Sequence, residues 1–199
     1  MEAQIRPSPD YKTDLIAARK KSAKALLWIG IVSIVMLFAG LTSAYIVRAD
    51  NGNWLKFDLP DIFFLSTAII ITSSITFFLS HLSAKKNNYS GVKLWVFVTF
   101  VLGIVFCFTQ FQGWSALYEK GIVFAGKYSN ASGSFLYVLT GVHMAHLFAG
   151  LISLFVVLIN SLRKRYDSEN LLGLELSGIY WHFLDLLWVY LFLFLYFIR

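Results

Sequence analysis

The chain is poor in the groups that most soluble chemistry uses. It has a single cysteine, Cys107, which excludes an intrachain disulfide and a cysteine-based metal cluster. Charged residues make up only 14%, and of the eleven acids Asp185 alone falls inside an apolar run. No nucleophile triad, glycine-rich phosphate loop or pair of catalytic carboxylates is present, so catalysis by this chain alone is not expected. Internal repeats and low-complexity tracts are absent, and the connections between apolar runs are too short for a soluble domain: about 14, 11 and 20 residues for the first three.

Apolar residues dominate instead. They form 58% of the 199 residues and mean hydropathy is +0.67, above the roughly 45–50% of soluble domains. Five runs, 25–47, 62–82, 94–114, 135–158 and 176–198, reach the ~20 residues needed to cross about 30 Å of hydrocarbon. The expected fold class is all-α, a polytopic membrane protein with a five-helix transmembrane bundle over 25–199. It follows a polar, basic N-terminal arm over 1–24, whose first twenty residues are expected to be disordered or ordered only on contact. The first run, about 23 residues, exceeds the 7–15 of a signal-peptide core and is read as a retained span.

The net charge of +6 is distributed in a way that points away from nucleic acid. Twelve of the seventeen basic residues lie in the arm and the second and fourth connections: Arg6, Lys12, Arg19, Lys20, Lys21, Lys24, Lys85, Lys86, Lys93 and Arg163–Arg165. Arg48, Lys56, Lys120, Lys127 and Arg199 fall on the other side. The positive-inside rule then puts the N-terminus in the cytoplasm and the C-terminus outside, with anionic headgroups as the natural partner of the basic side.

Within the runs, polar and small residues fall on particular faces. In the fourth, Gly141, Ala145 and Ala149 recur every four residues, a stripe expected to admit a neighbouring backbone, while His143 and His146 lie on another face. In the second, Ser73 and Ser74 belong to two hydroxyl rows at intervals of seven, expected to join helices. In the fifth, Glu175, Gly178, His182 and Asp185 form one polar stripe climbing about 15 Å into the membrane. An Asp near a span's centre costs roughly 2.5–3.5 kcal/mol on insertion scales, so this stripe must face protein or a water-filled cleft.

These ionisable residues admit several readings. His143 and His146 suit interhelical hydrogen bonding. Haem ligation needs imidazoles at matching depth, whereas His143 and His146 fall ~20–25 Å above the inner boundary and His182 ~9 Å. A metal site of His143, His146 and Asp185 lacks a further acid. Glu175, His182 and Asp185 serve either as a packing network, with Asp185 protonated or paired, or as a proton-collecting surface.

At these residues the chain resembles subunit III of the haem–copper respiratory oxidases. The stretch from Gly178 through Tyr180-Trp181-His182-Phe183 and Asp185 to Trp188 resembles the family's YWHF-x-D-x-x-W signature. Thr140-Gly141-Val142-His143, continuing through His146 to Gly150, resembles its TG-x-H-x-x-H-x-x-x-G helix, and Glu175 stands where the family also has an acid. Ser33 to Tyr45, and Leu59-Pro60 with Ser66-Thr67 and Ser73-Ser74, match earlier helices, so the likeness covers about 25–198 in order. Ile34 stands where the family often has a membrane-embedded Glu, so a role for that acid does not carry over. Members with seven spans have two further N-terminal helices that enclose a lipid-filled cleft.

The resemblance implies an accessory subunit, without redox cofactors, of a cytochrome c oxidase in a bacterial inner membrane. Haem, copper and oxygen reduction would reside in the catalytic subunit I. This chain would pack against subunit I and other respiratory-complex subunits, hold phospholipid and support proton uptake. Glu175, His182 and Asp185 would order the inner half of the last helix and its contacts with the fourth span. Alternatives are an accessory subunit of a quinol oxidase or nitric oxide reductase, or an independent haem-binding membrane protein using His143, His146 and His182.

Overall fold

The computed structural model describes residues 9–50, 52, 54–126, 129–163, 166 and 171–198, with side chains from residue 17 onward. Among the described residues five helices follow one another: α1 Pro9–Asp50, α2 Ile62–Lys85, α3 Tyr89–Glu119, α4 Ala131–Leu162 and α5 Leu172–Phe197. No strand occurs among the described residues. All five helices are long and apolar enough to span a membrane. The segment expected as an arm is helical from Pro9 on and runs without a break into the first span. A proline is well suited to that first position, since its missing N–H would have no partner there.

Local sequence sets the helix ends. Asn88 caps α3 by accepting from the Gly91 amide at 3.0 Å, and Asn130 caps α4 by accepting from Ser132 N at 3.0 Å. Between α2 and α3 the chain reverses through Asn87 at φ 53°, a left-handed position that asparagine tolerates better than most residues.

Side-chain pairs define the packing. Ser66–Gln110 and Thr76–Thr99 run α2 antiparallel to α3, and Trp114–Thr140 with Phe100–Phe155 does the same for α3 and α4. Tyr180–His146 and Ser177–Ser153 set α5 antiparallel to α4, while Lys24–Glu175 and Thr42–Tyr190 set α1 parallel to α5. α2 buries two ridges at intervals of seven, Phe63, Ile70, Phe77 and Ala84 beside Ser66, Ser73 and Ser80. Small hydroxyl residues on the second ridge let α3 and α5 approach closely while giving their polar groups a partner. α1 is peripheral: among the described residues its backbone comes close to α4 and α5 alone of the other helices, and 17% of its most apolar stretch is buried against 56% for α5.

Close helix approach does not use the stripe expected from the sequence. Ala145 and Ala149 are exposed, and a Cβ built at Gly141 meets nothing within 4 Å. Among the crowded glycines are Gly103 on α3 and Gly150 on α4, which flank the fully buried Trp181 ring, and Gly178 on α5, which faces the Phe77 ring of α2. A Cβ at Gly103 would lie 2.8 Å from Trp181 Cη2 and from Leu151 Cδ2; one at Gly150 would lie 3.0 Å from Leu184 Cδ1. The reason is size: an indole at the centre of the bundle requires a bare backbone on both sides, whereas the outward stripe meets no other helix among the described residues.

Candidate functional site

The signature residues of α5 point to two sides of that helix. Toward α2, Trp181 Nε1 donates to Ser73 Oγ at 3.0 Å, and Trp188 Nε1 donates to Thr67 Oγ1 at 3.0 Å. Next to the first of these clasps, Ser74 Oγ and His182 Nδ1 are hydrogen-bonded at 2.6 Å. Toward α4, the Tyr180 hydroxyl donates to the His146 carbonyl at 3.2 Å, and the Trp188 ring lies 5.2 Å from the His143 ring. The two sequence motifs, separate along the chain, therefore meet in space across the α4–α5 contact.

Asp185 is the fourteenth residue of α5, roughly 20 Å from its start. It is 4% exposed, and no group meets either carboxyl oxygen in hydrogen-bond geometry, although Ser74 lies close by. Toward the basic end come His182, three residues away, and then Glu175, whose Oε2 is 2.7 Å from Lys24 Nζ of α1. His81 of α2 joins Lys24, Glu175 and His182 around a cavity at this end, and Lys85 is near enough to act on both His81 and Glu175.

The expected polar set thus divides. Glu175, His182 and Asp185 face α2 and the start of α1, not the fourth span. The contacts with α4 are made by Tyr180, Trp181, Leu184, Trp188 and Ser177. His143 is fully buried within 6.5 Å of the Phe38, Phe106 and Trp188 rings, and neither ring nitrogen has a partner. His146 Nδ1–H is spent on its own helix, donating to the Val142 carbonyl at 2.8 Å. His143 is thus hemmed in by aromatic rings, whereas His182 is bonded to Ser74 on α2. Among the described residues, no three His, Cys, Asp or Glu side chains gather as metal ligands would.

Sequence reading missed two participants. Gln110, fully buried on α3, donates through Nε2 to Ser66 Oγ at 2.9 Å; an amide inside an apolar run was the available signal. Lys24 counted only toward topology, and nothing in its spacing announced a partner 151 positions away.

The fold and this polar seam define a multi-pass helical membrane protein whose last helix is clasped to its second by hydroxyl, indole and imidazole groups. Comparison with known proteins supplies the family. The family model described as Cytochrome c oxidase subunit III matches residues 10–199. Relatives include the probable cytochrome c oxidase subunit 3 of Nocardia farcinica, 32% identical over 89% of this chain and 88% of that protein. The cytochrome c oxidase subunit 3 of Corynebacterium diphtheriae is 31% identical over 83% of this chain and 82% of its own. That of Thermostichus vulcanus is 30% identical over 85% and 84%. The chain belongs to the cytochrome c oxidase subunit III family.

Proposed function

We propose that this chain is the accessory, non-redox subunit of a bacterial terminal oxidase, lying in the inner membrane with its basic end in the cytoplasm. In this reading haem, copper and oxygen reduction belong to the neighbouring catalytic subunit I. The chain packs against that neighbour and other respiratory-complex subunits, holds phospholipid, binds no nucleic acid, and sustains proton uptake from the cytoplasmic side.

The supporting observation is the α2–α5 seam. An ion pair at the basic end, Lys24–Glu175, leads to a Ser74–His182 bond and then to an unpartnered carboxyl at mid-depth, Asp185. Intramembrane ionisable groups are expensive and persist where they serve packing or proton handling. Here they lie on the side of α5 that keeps α1 and α2 in place.

Two variants separate these roles. Asp185→Leu removes the polar group and is expected to loosen assembly with the catalytic subunit. Asp185→Asn keeps the shape without a titratable proton, and is expected to assemble normally while shortening the active life of the oxidase during turnover. Copurification of the catalytic subunit and the decay of oxygen consumption measure both. Unchanged assembly and lifetime in both variants would remove the proposal.

A further inference from the structure

Midway along the bundle, one level gathers polar atoms that the α2–α5 seam does not use. Side-chain pairs set the register of α3 against α4: Phe106 with His143, Trp114 with Thr140 and, toward the basic end, Phe100 with Phe155. Gln110 stands four residues from both Phe106 and Trp114, so it shares their face of α3 and lies between the levels of His143 and Thr140. Its Nε2 donates to Ser66 Oγ of α2 at 2.9 Å, and the adjacent Thr67 Oγ1 accepts from Trp188 Nε1 at 3.0 Å. The Trp188 ring in turn lies 5.2 Å from the His143 ring. Phe38 of α1 closes the level, its ring 6.5 Å from that imidazole. All five helices thus send a side chain to this one depth.

Two of these side chains have bonding capacity left over. Gln110 and His143 are both fully buried. Gln110 Oε1 meets no donor, and neither ring nitrogen of His143 meets a partner. The Phe38 and Phe106 rings cross the imidazole at 69° and 81°, which holds its plane but offers it no hydrogen-bonding atom. A carboxamide oxygen accepts, and a neutral imidazole brings one N–H donor and one lone pair, so the two groups are chemically matched. Buried polar groups in folded proteins are joined to each other or to an ordered water, because leaving them unpaired is costly. Gln110 and His143 are not in direct hydrogen-bond geometry, so the connection between them needs one intervening group that both donates and accepts.

We propose that Gln110 Oε1 and the His143 imidazole bind a single water molecule between them at the centre of the bundle. A bridging water is nearly as good enthalpically as a direct hydrogen bond, and buried waters make about three such bonds to otherwise unpaired groups. The chain of bonds runs from Ser66 of α2 through Gln110 and the water to His143 of α4. It joins two helices whose backbones do not come close to each other among the described residues. His143 thereby fixes the rotation of α4, since only one facing of that helix turns the imidazole both to the water and to the Trp188 ring. A bridge of this kind is independent of which subunits surround the chain.

The test uses the full chain, with isotope-labelled histidine and valine, in phosphatidylcholine bilayers. Solid-state NMR with magnetisation transfer from water reads which imidazoles touch water, and His143 is identified without any variant because it alone of the four histidines follows a valine. One His143 ring nitrogen is expected to contact a slowly exchanging water, and Gln110→Met is expected to abolish that contact. No water contact at His143 in the unaltered protein overturns the proposal, and so does a contact that survives Gln110→Met. A double-mutant cycle of Gln110→Met and His143→Phe gives a readout independent of the spectrum. Unfolding in detergent mixtures is expected to show a coupling of about threefold in the equilibrium constant, and at most about twentyfold, the range of intramembrane hydrogen bonds. An imidazole without a partner gives the opposite result: His143→Phe raises stability and the two substitutions act independently. Either outcome overturns the bridge.

Discussion

Replacing Gly103 by Ala adds one methyl group at a crowded point in the centre of the bundle. The new Cβ would stand 2.8 Å from both Trp181 Cη2 and Leu151 Cδ2, nearer than carbon atoms approach, so the indole or the α3 backbone must shift. Neither has room: Trp181 is fully buried and its Nε1 is tied to Ser73 Oγ at 3.0 Å. Overpacking of this kind costs typically 1–3 kcal/mol, but alanine is also a better helix former than glycine by up to ~1 kcal/mol. Gly141→Ala supplies the control, since it carries the same gain in helix propensity and meets nothing within 4 Å. The difference between the two variants therefore isolates the clash, and Gly103→Ala should be the less stable by about 1–3 kcal/mol, roughly a fivefold to hundredfold change in the unfolding equilibrium. Reversible unfolding in detergent mixtures with rising dodecyl sulfate, followed by tryptophan fluorescence and helix content, measures it on the isolated chain. Equal stability of the two variants, or a Gly141→Ala variant weaker than Gly103→Ala, would refute the assignment of the close-packed faces.

Three smaller effects follow from the same geometry. Ser74→Ala removes the 2.6 Å bond to His182 and should cost about 0.6 kcal/mol and at most ~1.7 in that unfolding assay, the range measured for intramembrane hydrogen bonds. Glu175→Gln breaks the ion pair with Lys24; because the two side chains are 33% and 47% exposed, a double-mutant cycle should give no more than ~1 kcal/mol, fading as salt is raised. Tyr166, in the α4–α5 connection, has its phenol pushed above the ordinary value of 10.0 by burial, a hydrogen bond with Asn160 opposing. Its contribution to stability is thus complete below about pH 10 and lost as pH rises through the higher folded value. Tyr166→Phe should remove that alkaline loss, and an unaltered stability–pH curve above pH 10 would contradict it.

Hydropathy alone determined the architecture. Five uninterrupted apolar runs have only one stable form in hydrocarbon, because each must satisfy its own backbone hydrogen bonds, and their short connections make successive helices antiparallel. The runs expected at 62–82 and 94–114 appear inside longer helices, 62–85 and 89–119, since a helix continues past the membrane boundary until a turn such as Asn87 ends it. The same logic failed for the first segment, where polarity suggested an arm and the chain is helix from Pro9. Intrinsic helix preference, unlike hydropathy, does not change at residue 24.

Tertiary structure alone decided which faces meet. Small residues every four positions look alike whether they face a neighbour or the outside, and so Gly141, Ala145 and Ala149 were indistinguishable in sequence from glycines that pack. Gly103 and Gly150 are distinguished by the Trp181 ring that lies between them and by Leu151 and Leu184 beside it. Likewise the acids and imidazoles were visible as unusual in apolar runs, but their partners Ser74 and Lys24 are 108 and 151 positions away. Periodicity records that a polar group shares a helix face; which helix that face meets depends on how all five pack together.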